Sequence, residues 1–230
     1  MDRGCEMIYH AVVFADDVVY VTKELPITED SKQALIDARI SIYYDDSDAL
    51  SQKMFTGEIS LGQWEEQMKK LIRELHTAVL AIVRGGWDKV TFQDWGRLGT
   101  PLREQYAYLH KFAGDISANR DTMSLKMIQA RARLYGKAAY ATMAIFQAGD
   151  FAKLLPWLPR DGSTECLMGC TCHWESFIVS RNEEKTVVRF TWIVCEESES
   201  CLDCVNRDGH IETIEVGNAA EIPAIIGVKC

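Results

Sequence analysis

Cysteines carry the chemistry this chain could do. Six of its eight cysteines fall between positions 166 and 204, and five of these make two tight groups: Cys166-x3-Cys170-x-Cys172-His173-Trp174 and, about thirty residues later, Cys201-x2-Cys204. Each group offers two sulfurs from one bend, and a β-hairpin between them would bring the bends together, as a tetrahedral metal requires of a short chain. The spacing predicts one Zn(II) held by Cys170, Cys172, Cys201 and Cys204, with Cys166 as the substitute if Cys-x-Cys is too tight for both to ligate. Zinc has no geometric preference of its own and tolerates thiolate well. Four protein ligands leave no vacancy for a substrate water, so the centre would be structural and its binding free energy would be folding free energy. Disulfides among Cys166, Cys170, Cys172, Cys195, Cys201 and Cys204 would do the same mechanical job, and inert thiols are a third reading. A reducing cytoplasm favours metal. Cys195 alternates with strand residues and reads as a buried small hydrophobe, while Cys5 and Cys230 have no assignment.

Other chemistry is thinner. His173 could ligate but reads more simply as a packed or exposed ring beside Trp174. A redox role for Cys201-x2-Cys204 is disfavoured, because that motif is expected where a strand leads into a helix, and here it reads as a turn between strands. Asp45-Asp46-x-Asp48 lacks the glycine and distal glutamate of a calcium loop and reads as a solvated helix end. His76 and His110 have no ligand-spaced partners, which leaves core or surface placement. Lys126, Arg131, Arg133 and Lys137 make a basic helix face, read as paired with neighbouring acids. No nucleophile elbow, phosphate loop, dinucleotide fingerprint or zinc-protease helix is present, and no nucleophile–base pair is recognisable, so the reading is not an enzyme.

The elements that must position these residues fall into three stretches. Residues 1–25 are β-rich, with runs Met7–Phe14 and Val18–Thr22 around a turn at Asp16-Asp17. Residues 26–154 are helical. A first helix opens at Thr28 or Ser31 and carries Ala34, Leu35, Ala38 and Ile42. A second is capped by Ser60 with Gln63 in capping-box position and ends at Gly85-Gly86; its stripe is Trp64, Met68, Leu71, Leu75, Val79 and Ile82. A third follows Thr100-Pro101 with Leu102, Tyr106, Leu109 and Phe112. A fourth runs from about Ser124 to Gln147 with Met127, Ile128, Leu134, Ala138, Thr142 and Ile145 inward. Leu155–Gly162, with two prolines and Asp161-Gly162, breaks the pattern. Residues 155–230 then form a small antiparallel β module: strands Glu175–Ser180 and Lys185–Cys195 around a turn at 181–184, and a third at Ile211–Val216 after Asp208-Gly209. The fold class is α+β, a mostly α-helical body with a cysteine-rich, zinc-knuckle-like β tail. Such a tail is too small to bury much apolar surface alone, so a cross-link is expected.

Composition sets outer bounds. The 230 residues are 47% hydrophobic and 26% charged, ordinary for a globular protein, with formal net charge −9. That charge argues against general adhesion to nucleic acid or to an anionic membrane surface. The start, Met1–Glu6, lacks a basic region followed by a clean apolar core, and no segment qualifies as a membrane span.

Leu155–Trp174 resembles a segment of tailed-phage minor head, or head-morphogenesis (MuF-like), proteins; Ile128–Thr142 is similar to the helix those proteins carry upstream, and Thr191-Trp192 with Cys201-x2-Cys204 to their tryptophan strand and Cys-x2-Cys element. The likeness covers roughly residues 100–210, with the order of the two cysteine elements reversed from the better-known branch. It implies a virion component that assembles in the host cytoplasm, contacts capsid or portal subunits, could form a homo-oligomer in the particle and has no catalysis in its core. It also implies Cys166, Cys170, Cys172, Cys201 and Cys204 as site residues. The rivals are a metal-dependent hydrolase or nuclease using His173 or Asp161, and a nucleic-acid-binding zinc module using the basic helix.

Overall fold

A computed structural model describes residues 9–15, 18–25, 27, 29–165, 172–195, 201–218 and 220–227, with backbone alone for 9–25 and 29–30. The Asp16-Asp17 turn, Thr28, Cys5, Cys166, Cys170 and Cys230 lie outside the described residues. The fold is α+β. Strands β1 (Tyr9–Ala15) and β2 (Val18–Leu25) pair antiparallel, Tyr9 opposite Leu25 and Ala15 opposite Val18. Four helices follow: α1 (Glu29–Thr56), α2 (Leu61–Arg84), α3 (Phe92–Ala118) and α4 (Leu125–Ala148). Ser31 lies inside α1 and therefore does not cap it.

Helix α2 forms as its sequence dictates. The Ser60 hydroxyl accepts the Gln63 N–H at 3.2 Å while the Gln63 side chain accepts the Ser60 N–H at 2.9 Å. Gly85 takes the left-handed conformation (φ 81°) that ends the helix at low steric cost. Helix α2 packs against α1, α3 and α4. Their shared core holds Ile36, Ile40, Tyr43, Trp64, Met68, Ile72, Val79, Leu109, Phe112, Ile128 and Phe146. Among the links that tie α1 to α4, the Tyr43 hydroxyl donates to the Ala132 carbonyl at 3.1 Å, and Arg133 forks onto Asp48. The basic face of α4 is thus partly spent on acids, with Arg131 also 2.8 Å from Asp115.

Two helix readings need correction. Helix α3 begins at Phe92, ahead of Thr100-Pro101, and Pro101 lies inside it. Thr91 and Asp94 form a reciprocal cap at its start, and Arg84 at the end of α2 clamps the same carboxylate at 2.5 Å. This joint fixes the start of the helix, and Pro101 is carried inside it although an interior proline removes a backbone bond and crowds the preceding turn. On α4, Ile128, Ala138 and Thr142 are buried as expected and Ile145 is half-buried, but Met127 and Leu134 are exposed, and Ala132, Tyr135, Ala139, Met143 and Phe146 complete the inward face.

The remaining strands are β3 (His173–Arg181), β4 (Lys185–Ile193), β5 (Ile211–Gly217) and β6 (Ile225–Gly227). They form one antiparallel sheet in the order β5-β4-β3-β6. Asn182 builds the β3–β4 turn, its side-chain oxygen accepting the N–H groups of Glu184 (3.0 Å) and Lys185 (2.9 Å). Thr186, Val188, Phe190 and Trp192 alternate inward along β4. A second core joins Val188, Phe190, Trp192, Trp174, Ile226, Phe151 and Leu155 to Ala144 and Ala148 at the end of α4. The sheet is further held there by the Gly227 N–H, which donates to the Gln147 side chain at 2.9 Å. Among the described residues no helix is long and apolar enough to cross a membrane.

Candidate metal centre

The two cysteine-bearing segments meet on this second core. Just before Cys166, the Glu165 N–H donates to the Asp203 carboxylate at 2.9 Å, and the Arg207 guanidinium grips the Ser163 hydroxyl and carbonyl at 3.0 and 2.9 Å. Cys172 and Cys204 are buried in that core, and Cys201 is packed against it. Of the five cysteines read as ligands, these three therefore share one cluster, while Cys166 and Cys170 fall outside the described residues.

Cys201-x2-Cys204 is not a plain turn between strands. Cys201 takes the extended conformation of a helix N-cap (φ −70°, ψ 162°) and its carbonyl accepts the Val205 N–H at 3.0 Å. The helix it opens, α5 (Leu202–Arg207), buries Cys204 and leaves Leu202 and Val205 exposed. Six residues without an inward apolar stripe give no helical period to read. Cys195 is buried, as expected, and it is disulfide-bonded as well, which fits the disulfide alternative. It lies past the end of β4 at Ile193, so the strand's alternation does not govern it.

Among the described residues, one group of side chains could hold a cation. A carboxylate oxygen of Glu165, the Cys201 sulfur and a carboxylate oxygen of Asp203 all lie within 4.8 Å of one another. Glu165 is exposed, the other two half-buried. The donor set mixes two hard oxygens with one soft sulfur, which suits a borderline ion better than a strictly soft or strictly hard one. Sequence reasoning found Cys201 and missed both acids. Each abuts a motif cysteine, Glu165 before Cys166 and Asp203 before Cys204, yet in an acidic chain that adjacency singles out nothing.

A block of indoles backs the site. Trp157, Trp174 and Trp192 approach one another with ring centroids 5.1–6.0 Å apart, and Arg207 lies 4.3 Å over the Trp157 ring. The Trp174 indole N–H donates to the Trp157 carbonyl at 3.0 Å. Arg207 thus links the stack to the Ser163 segment, so displacement of either cysteine group would disturb the rings.

The rival catalytic residues have other contacts. Asp161 closes a turn, its carboxylate accepting the N–H groups of Leu158 and Ser163, each at 2.8 Å. His173 is buried on β3 opposite Ile193 and Gly227, with Nε2 3.4 Å from Glu175. Neither belongs to the cation-competent group. His76 and His110 sit where their spacing implied, the first sealed in the helical core and the second exposed beside Glu65. Comparison with protein-family models, with curated proteins and with solved structures found no match.

Proposed function

We propose that this chain is a structural or assembly component of a tailed-phage particle, working through contacts with capsid or portal subunits. In this reading its C-terminal module is made rigid by a Zn(II) ion. The particle role rests on the resemblance of Leu155–Trp174 to minor head proteins, and the metal rests on the convergence of Glu165, Cys201 and Asp203, with Cys172 and Cys204 in the core that Cys201 packs against. Zinc accepts both thiolate and carboxylate, so Cys201, Asp203 and Glu165 could hold it together with Cys166, Cys170, Cys172 or Cys204. The ion would add a cross-link to the core that the module shares with the end of α4.

The partner contacts are tested by sedimenting assembled heads from cells producing a candidate phage's portal and major capsid proteins together with this chain. Incorporation at a fixed copy number per head supports the reading. A chain left wholly in the soluble fraction sinks it. The Cys195 disulfide favours a second reading of the staple, in which oxidised sulfur replaces metal in the finished particle.

A further inference from the structure

The start of α3 and the turn before it expose three aromatic side chains: Trp87 (52%), Phe92 (91%) and Trp95 (44%). Trp87 stacks on Trp95 with centroids 6.4 Å apart and planes 14° from parallel, which places the turn on the same face as the helix residues. At about 150–250 Å² per ring, these exposures amount to roughly 400 Å² of aromatic surface, at the upper end for a monomer. Phe92 and Trp95 share their helix face with Gly96, Gly99 and Arg103, by the three- and four-residue steps of an α-helix. A Cβ added at Gly96 or Gly99 would meet nothing within 4 Å, so the face beyond the rings is flat and open.

We propose that this face binds a second copy of the same chain, with the two α3 helices antiparallel across a two-fold axis near residues 95 and 96. The sequence is self-complementary in that register. Phe92 falls opposite the partner's Gly99 and Trp95 opposite the partner's Gly96, so each large ring meets a position with no side chain. The ends match in charge as well. Exposed Asp88 lies in the turn whose Trp87 packs against Trp95 at the start of α3, and exposed Arg103 lies one helical turn after Gly99, so an antiparallel copy brings an acid-bearing turn toward a base at both ends. The rings of two copies would bury roughly 800 Å², half of a standard interface, and the helix flanks would supply the remainder. This pairing is independent of the metal reading.

The test is sedimentation equilibrium of the full chain across the low- to mid-micromolar range. The wild type is expected to dimerise. Gly99→Gln, which fills open space in the monomer, should weaken association by more than about tenfold with an unchanged circular-dichroism spectrum. Asp88→Arg and Arg103→Asp should each weaken it, and the two together should restore it. A wild type monomeric throughout overturns the proposal, as does a dimer indifferent to Gly99→Gln. A monomer that instead sediments with phosphatidylcholine vesicles through Phe92 and Trp95 also overturns it.

Discussion

Acidifying the protein should weaken its helical core through one residue. His76 is fully enclosed; its Nδ1 lies 2.7 Å from the Thr142 hydroxyl, and its Nε2 has no hydrogen-bond partner among the described residues. Burial penalises the imidazolium and pushes the pKa from 6.5 down to about 4. The unfolded chain therefore takes up a proton near pH 6.5 that the folded chain refuses until about pH 4. Stability is full above the first value and falls as pH drops toward the second. The slope approaches about 1.4 kcal/mol per pH unit, and the whole window is worth about 3 kcal/mol. Urea melts at several pH values on wild type and on His76→Asn, whose amide can still meet Thr142 but does not titrate, isolate the effect, since shared carboxylate contributions cancel. The difference between the two proteins should shrink steadily as pH falls through that window. Parallel loss of stability in both would refute the reasoning.

Asp94→Asn should cost about 2–3 kcal/mol in urea melts, because it neutralises a buried carboxylate that accepts charge-assisted hydrogen bonds from half-buried Arg84. Burial works against the Asp94 carboxylate, but the Arg84 guanidinium and the Thr91 N–H and hydroxyl outweigh it and hold its pKa low. That contribution is accordingly present above the ordinary carboxylate range and fades as pH falls through the lowered value. Gly136→Ala should be destabilising, since its Cβ would come within 2.6 Å of the Tyr44 ring and 2.9 Å of the Tyr43 ring. Overpacking of about 1–3 kcal/mol exceeds the helix gain of at most about 1 kcal/mol. At Gly99 the same change meets open space and should stabilise the monomer by about 0.5–1 kcal/mol, so the pair serves as a control in one set of thermal or urea melts. Ser60→Ala should cost about 1 kcal/mol by opening the capping box of α2.

Where a local rule acted alone, the sequence was readable. Ser60, Gln63 and Gly85 bracket α2, and Val188, Phe190 and Trp192 alternate along β4 as written. The start of α3 was not readable in the same way, because Thr91-x2-Asp94 and Thr100-Pro101 are both valid start signals. The contact that decides between them, Arg84 on Asp94, is tertiary. Strand β6 is three residues long, and the side of β3 it joins is set by Gly227 meeting Gln147 on α4. At the site the cysteines were legible because clustered sulfur is rare. Glu165 and Asp203 were not, because carboxylates are common and only folding shows which of them face the same sulfur.

The account turns on whether one ion joins the two cysteine segments. Elemental analysis of protein purified under reducing conditions, with a thermal melt followed by tryptophan emission before and after chelation, tests it directly. About one zinc per chain is expected, with chelation lowering the melt and altering emission from Trp157, Trp174 and Trp192, and with Asp203→Asn or Cys201→Ser lowering zinc content. Metal-free protein that melts unchanged with chelator, and gives way only to strong reductant, would contradict it.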